Sequence, residues 1–144
     1  MARIEGEIVV ARPVETVFDF VADERNEPLY NPQMLRAEMV SSGPIGAGTR
    51  YRAQMTSGQR NVEMTIEITA YDRPRRLAST THMSSMDIRG EVTFVAVPGG
   101  TRMRWRWDLE PRGVLRLLGP LLARAGRRQE EATWTSLKRL LEQV

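Results

Sequence analysis

Few residues of this chain could do chemistry. His82 is its one histidine and the only side chain whose ordinary pKa suits proton transfer near neutrality. There is no cysteine, which excludes disulfides and thiolate-held metals, and a lone imidazole excludes a histidine metal cluster. Glu130 draws attention by its company. Stepped at roughly 100° per residue, it shares a helical face with Leu122, Ala123, Gly126, Thr133, Trp134, Leu137, Leu140, Leu141 and Val144, and a lone buried carboxylate is costly unless paired. It either turns outward to Arg127 or a strand arginine, or it sits at a pocket, orienting a ligand hydroxyl or carrying a raised pKa. Tyr30 and Tyr51 are further groups able to polarise a carbonyl. No nucleophile elbow, diagnostic carboxylate pair or cofactor fingerprint is present, and the glycine turn Gly43-Pro44-Ile45-Gly46-Ala47-Gly48 lacks the Lys-Ser/Thr ending of a phosphate loop. The chain therefore predicts no metal, no cofactor and no visible catalytic constellation, with His82, Glu130 and Tyr51 as weak catalytic candidates.

These groups need elements to position them. From Pro120 the chain reads as one amphipathic helix of roughly 36 Å, against a radius of gyration of about 14–15 Å for a domain of this length, so the helix must cross the molecule. Its last turns are leucine-rich, whereas Gly126, Glu130 and Thr133 interrupt the apolar stripe, as a cavity wall would. Arg3 to Ala11 alternates as a half-buried strand. Val14, Val17, Phe18 and Val21 then follow helical spacing behind Pro13, and Asp23 to Pro32 allows a short second helix. Six alternating segments follow, from Leu35 to Leu109, separated by turns such as Ser57-Gly58, Asp72-Arg73-Pro74 and Pro98-Gly99-Gly100. Sequential strands with short turns imply an antiparallel meander with one wet face, on which Glu63, Glu67 and Glu91 can pair with Arg102, Arg104 and Arg106. The dry face needs a cover, and only the terminal helix is long and apolar enough. His82 lies in Ser79-Thr80-Thr81-His82-Met83-Ser84-Ser85. If Leu77 points inward, so do Ser79, Thr81 and Met83, and His82 faces water unless a bulge reverses it.

At 144 residues with a formal charge of +3, the chain is expected to form one domain over residues 1–144. All its basic residues except Lys138 are arginine, and most alternate with apolar residues along strands, a pattern of a wet sheet face rather than of nucleic-acid binding. MARIEGEIVV has no apolar run of signal-peptide length, and no stretch approaches the ~20 apolar residues of a membrane span. The expectation is a cytoplasmic, soluble protein, monomeric or homodimeric. The segment VLRLLGPLLARAGRR, apolar and then basic, is read first as a lid over a cavity entrance, and second as an element making transient contact with an anionic membrane.

The ordered set IEGEIVVARPVETVFDFVADERNEPLYNP, GPIGAGTRY, ITAYDRPRRLAS, VPGGTRMRW and WTSLKRLLEQV resembles the START-like, or polyketide cyclase/dehydrase-like, superfamily over nearly the whole chain. The departures are Tyr30 where many relatives have Trp, and a sparser glycine turn than in the plant members. The resemblance implies an α+β helix-grip fold, in which a curved antiparallel sheet of about seven strands wraps a long C-terminal helix, with two short helices between the first and second strands. It also implies a cavity for apolar or polycyclic molecules. Residues expected to line it are Tyr30, Tyr51, Met55, Met64, Phe94, Met103, Trp105, Trp107, Leu122, Gly126, Glu130 and Thr133; flexible methionines suit an adaptable pocket. Fold alone does not choose a function. The first expectation is binding or carriage of a small hydrophobic ligand, lipid-, quinone- or polyketide-like. The second is a cyclase or aromatase working by substrate shaping and weak acid–base help, and the third a protein-interaction module of chaperone-activator or toxin type.

Overall fold

The computed structural model describes residues 2–143. Strand β1 (Ala2–Val10) leads to helix α1 (Val14–Ala22) and a 3₁₀ helix (Glu24–Leu29). There follow β2 (Met34–Met39), β3 (Arg50–Ser57), β4 (Arg60–Asp72), β5 (Arg76–Met83), β6 (Met86–Val97) and β7 (Gly100–Pro111). A second 3₁₀ helix (Gly113–Leu118) runs into α2 (Gly119–Glu142). The seven strands form one antiparallel sheet in the order β1-β7-β6-β5-β4-β3-β2. This is the helix-grip arrangement expected from the sequence.

Period-2 alternation sets the inner face. On β4, Met64, Ile66 and Ile68 are buried while Glu63, Thr65 and Glu67 are exposed. Register shifts at Met34/Arg36 and Ile68/Ala70 bend the strands, as bulges do. Two glycines tighten the sheet further. Gly6 pairs with Trp105 and Gly90 with Trp107; a Cβ on Gly6 would lie 2.5 Å from the Trp105 ring and one on Gly90 2.7 Å from the Trp107 ring. The Trp105 indole fills the space Gly6 leaves empty, while Gly90 is needed first by the Arg106 carbonyl oxygen, 1.9 Å from where its Cβ would stand.

The concave face is closed in two places. Helix α1 buries Val17, Phe18, Val21 and Ala22, and Phe18 meets Phe94 and Tyr71 edge-on at centroid distances of 5.1 and 5.2 Å. The last turns of α2 bury Trp134, Leu137 and Leu141. They are tied to the end of β1 by Lys138 Nζ donating to the Val9 carbonyl (2.8 Å) and the Ala11 amide donating to Glu142 (2.7 Å). Val144, which the helical wheel adds to this face, lies outside the described residues.

Of the ion pairs expected on the outer face, Glu91 with Arg106 is present, and the other arginines take a different partner. Arg106 pairs with Glu91 at 2.9 Å, but Arg102 and Arg104 reach Glu7 at 3.7 and 3.2 Å. Because β1 occupies the free edge of β7, Glu63 and Glu67 on β4 lie strands away; Glu63 faces Arg36 at 3.9 Å instead. Such exposed pairs contribute about 0–1 kcal/mol each.

Candidate functional site at the open end of the interior

The buried apolar residues fall into two groups. The larger joins α1, the strands and the end of α2; the smaller consists of Ala2, Ile4, Leu109 and Ala123. Trp107, half-buried, borders both. Between them the sheet's inner face is not fully covered: Ser79, Thr81 and Met83 on β5, Ile88 and Gly90 on β6 and Trp107 on β7 all remain half-exposed, although their register partners Ile66, Ile68 and Leu109 are buried. Leu122 and Glu130 on α2 are also half-buried. We call this partly covered stretch, between the middle of the sheet and the first half of α2, the cleft.

A polar cluster stands at its edge. In a 3₁₀ helix residues three apart eclipse, so Glu24 and Glu27 share a side, and Tyr30 follows at the same interval. Asp23 caps this helix by accepting from the Arg25 amide (3.1 Å) and holds the Arg25 guanidinium at 2.8 and 2.9 Å. Glu27 accepts from Asn31 Nδ2 at 2.8 Å. Glu24, on the same side as Glu27, has its Oε2 buried with no hydrogen-bond partner. The indole N–H groups of Trp107 and Trp134 are likewise buried and unpartnered. Unsatisfied buried polar atoms cost about 1–3 kcal/mol each, and three of them belong to these neighbouring residues.

The electrostatics follow from this crowding. Burial pushes the Glu130 carboxyl up to about 8, the charge of Glu27 adds to the shift, and the Trp107 N–H, near the carboxyl but completing no hydrogen bond with it, opposes the shift. Burial, then Glu27, holds Glu24 well above the usual carboxylate range. Tyr30 is raised chiefly by burial and then by Glu27, Glu24 and Glu130. At neutral pH, then, Glu130 is mostly a neutral acid able to donate a hydrogen bond. Among the described residues no three His, Cys, Asp or Glu side chains are arranged to hold a metal ion.

An aromatic ladder backs the cluster. Phe20, Tyr30, Trp134 and Trp105 follow one another at centroid distances of 6.0, 5.8 and 5.8 Å. Glu130 and Trp134, one turn apart on α2, thus bring the acid and the ladder together.

The sequence-chosen residues separate into two sets. Trp107, Leu122 and Glu130 border the cleft, with Tyr30, Trp105 and Met55 near it or on the same inner surface. Phe94 and Met103 are fully buried, Phe94 lying under Phe18 of α1. Met64 and Thr133 are buried in the packed interior. Tyr51 is wholly buried, its hydroxyl donates to the Ala22 carbonyl (3.2 Å), and burial moves its pKa up to about 12, which makes it a structural tie rather than a ready acid. Gly126 does not face open space: a Cβ there would meet Ile4 Cδ1 at 2.3 Å, so its smallness lets α2 approach β1. His82 lies on the outer face, its Nδ1 2.9 Å from Asp87. Asp87 also accepts from Arg112, which donates to the Met83 carbonyl as well, and this clasp fastens the second 3₁₀ helix to the β5–β6 turn. Glu24 and Glu27 are not among the sequence-chosen residues, although a spacing of three in a segment too short for an α-helix was the available signal.

Two shallow clefts of about 380 and 280 Å³ open elsewhere. One is lined by Glu5, Glu7, Glu91, Arg104 and Arg106, the other by Arg52, Glu63, Thr65, His82 and Ser84. Both open on the charged outer face, although Trp105 borders the first and Met64 and Met83 border the second.

Comparison with solved structures places the fold among START-like proteins. The protein TTHA0849 from Thermus thermophilus superposes with a TM-score of 0.81 at 19% identity, covering 99% of both chains. A START superfamily protein from Mycobacterium smegmatis gives 0.86 at 15% identity, again over 99% of each. The Zhui aromatase/cyclase from a Streptomyces species gives 0.83 at 16% identity, over 97% of this chain and 93% of that one. At these identities the likeness establishes the fold. The chain matches the family described as polyketide cyclase / dehydrase and lipid transport over residues 1–142, and it belongs to that family. No protein of curated function matches the sequence. Among the described residues no helix is long and apolar enough to cross a membrane.

Proposed function

We propose that the protein binds and carries a small, mainly apolar ligand in the cleft between the sheet and α2, with the ligand's one polar end at Glu24, Glu130 and the Trp107 N–H. The observation that carries this reading is the set of buried, unpartnered polar atoms, Glu24 Oε2 and the Trp107 and Trp134 N–H groups, beside half-exposed inner-face residues. A ligand hydroxyl or carbonyl would satisfy them, and its apolar body would cover the inner wall. A ligand carboxylate fits poorly beside three glutamates. Native mass spectrometry of the purified protein, followed by extraction, tests this. A copurifying neutral lipid, quinone or polycycle supports it, and an empty protein that binds no hydrophobic dye rules it out.

One observation favours a second reading, cyclisation of a polyketide-like chain. A carboxyl titrating at about 8 is matched to general-acid work near neutrality. Protonated Glu130 would give its proton to a carbonyl oxygen while the enol form of a neighbouring β-dicarbonyl unit of the same chain attacks the carbonyl carbon. A C–C bond replaces the C=O π bond, the enol O–H proton is lost to solvent as its carbonyl reforms, solvent returns a proton to Glu130, and the cleft would select the folded conformer. Turnover of a poly-β-ketone surrogate that Glu130→Gln abolishes, with binding retained, would select the enzyme; binding without turnover in both forms selects the carrier.

A further inference from the structure

The exposed apolar side chains are unevenly spread. Among the described residues nine large hydrophobics are exposed, and four of them, Val114, Leu117, Leu118 and Leu121, fall within eight consecutive positions. Val114 and Leu117 are 78% and 84% exposed, so they project from the second 3₁₀ helix instead of lining a groove. Around them the charge has one sign. Residues 111–129 contain five arginines and no acidic residue. Arg112 is committed to Asp87, whereas Arg116, Arg124, Arg127 and Arg128 are exposed and form none of the ion pairs found among the described residues. On the first turns of α2, Leu121, Arg124, Ala125 and Arg128 share one exposed face, giving a leucine tip followed by guanidiniums.

We infer that this tip is a docking surface for an anionic lipid bilayer, with Val114, Leu117, Leu118 and Leu121 entering the interface and the four arginines meeting headgroup phosphates. The chemistry separates this occupant from others. Protein-interface anchors seat in pockets, and these leucines project. A second copy of this chain would set the arginines against their own kind. Nucleic acid would use the guanidiniums and leave the leucines wet. A bilayer accepts both: apolar side chains insert to the acyl boundary, and long basic side chains reach back to the headgroups. The inference stands whatever the interior carries.

Sedimentation of the full chain with large vesicles tests it, comparing phosphatidylcholine alone with a phosphatidylcholine/phosphatidylserine mixture. The expected result is binding to the mixed vesicles only, weakened by salt. Leu117→Glu with Leu121→Glu, and separately Arg124→Glu with Arg128→Glu, should each lower partitioning about tenfold or more without changing the far-UV circular dichroism or the melting temperature, since these side chains are exposed. Equal binding to neutral vesicles, no binding to either, or wild-type binding by both folded variants would overturn the inference. So would self-association on size exclusion that the leucine variant abolishes, because the tip would then be a contact between copies.

Discussion

The two ends of the interior use the same sheet and the same helix differently. Under α1 and the last turns of α2, rings meet edge-on, Leu137 and Phe18 have no exposure, and no carboxylate intrudes. Toward the first half of α2, inner-face residues stay half-exposed and three glutamates gather with no ion pair to a cation among the described residues, since Arg25 is held by Asp23. The difference teaches where stability and function are separated: one end is packed to hold the sheet closed, and the other, with Trp134 at the boundary between them, leaves Glu24 and Trp107 with unsatisfied polar atoms, which a protein tolerates where something else binds.

Substitutions can break or sharpen that contrast. Phe18→Ala or Leu137→Ala should cost about 3–5 kcal/mol by chemical denaturation, whereas Thr81→Val at the open end should change stability by less than about 1 kcal/mol; equal losses would erase the distinction. Gly126→Leu should cost about 1–3 kcal/mol, because the added side chain must displace Ile4, and no loss would return that turn of α2 to the cavity wall. Glu130→Gln should stabilise the protein at pH 7 by on the order of 2 kcal/mol. The sign follows from linkage: a carboxyl raised to about 8 binds more protons folded than unfolded, so its contribution is full below its unfolded pKa and is lost as pH rises through the folded one. Melting temperatures between about pH 5 and 8 should therefore fall more steeply for wild type than for the variant. The smallest effect belongs to His82→Ala, which should leave ligand binding unchanged and shift stability by under about 0.5 kcal/mol.

The sheet, both helices and the gripping role of α2 were legible because alternation and helical spacing encode which face is dry. Parity from Leu77 offered His82 an outward position that a bulge could have reversed, and only the structure settles it. The site was less legible. The interrupted stripe on α2 pointed to Gly126, Glu130 and Thr133 alike, but whether a small residue faces a void or a close neighbour depends on the strand opposite, and Ile4 is 122 positions away. Glu24 and Glu27 lay in a polar stretch whose spacing becomes informative only once it is known to be a 3₁₀ helix. The strand order that gives Arg102 and Arg104 to Glu7 required knowing that β1 closes against β7.

The pairing of Gly6 with Trp105 and of Gly90 with Trp107 also limits how this chain can vary. The Trp105 indole occupies volume that belongs to the missing Cβ of Gly6, so neither position of that pair can change alone: a side chain at the glycine collides with the ring, and a smaller residue at the tryptophan leaves a hole. Only reciprocal exchange conserves the volume. Positions 6 and 105 are therefore expected to tolerate a compensated double substitution that neither single change survives, whereas position 90 stays glycine whatever stands at 107, because a Cβ there would lie 1.9 Å from the Arg106 carbonyl oxygen.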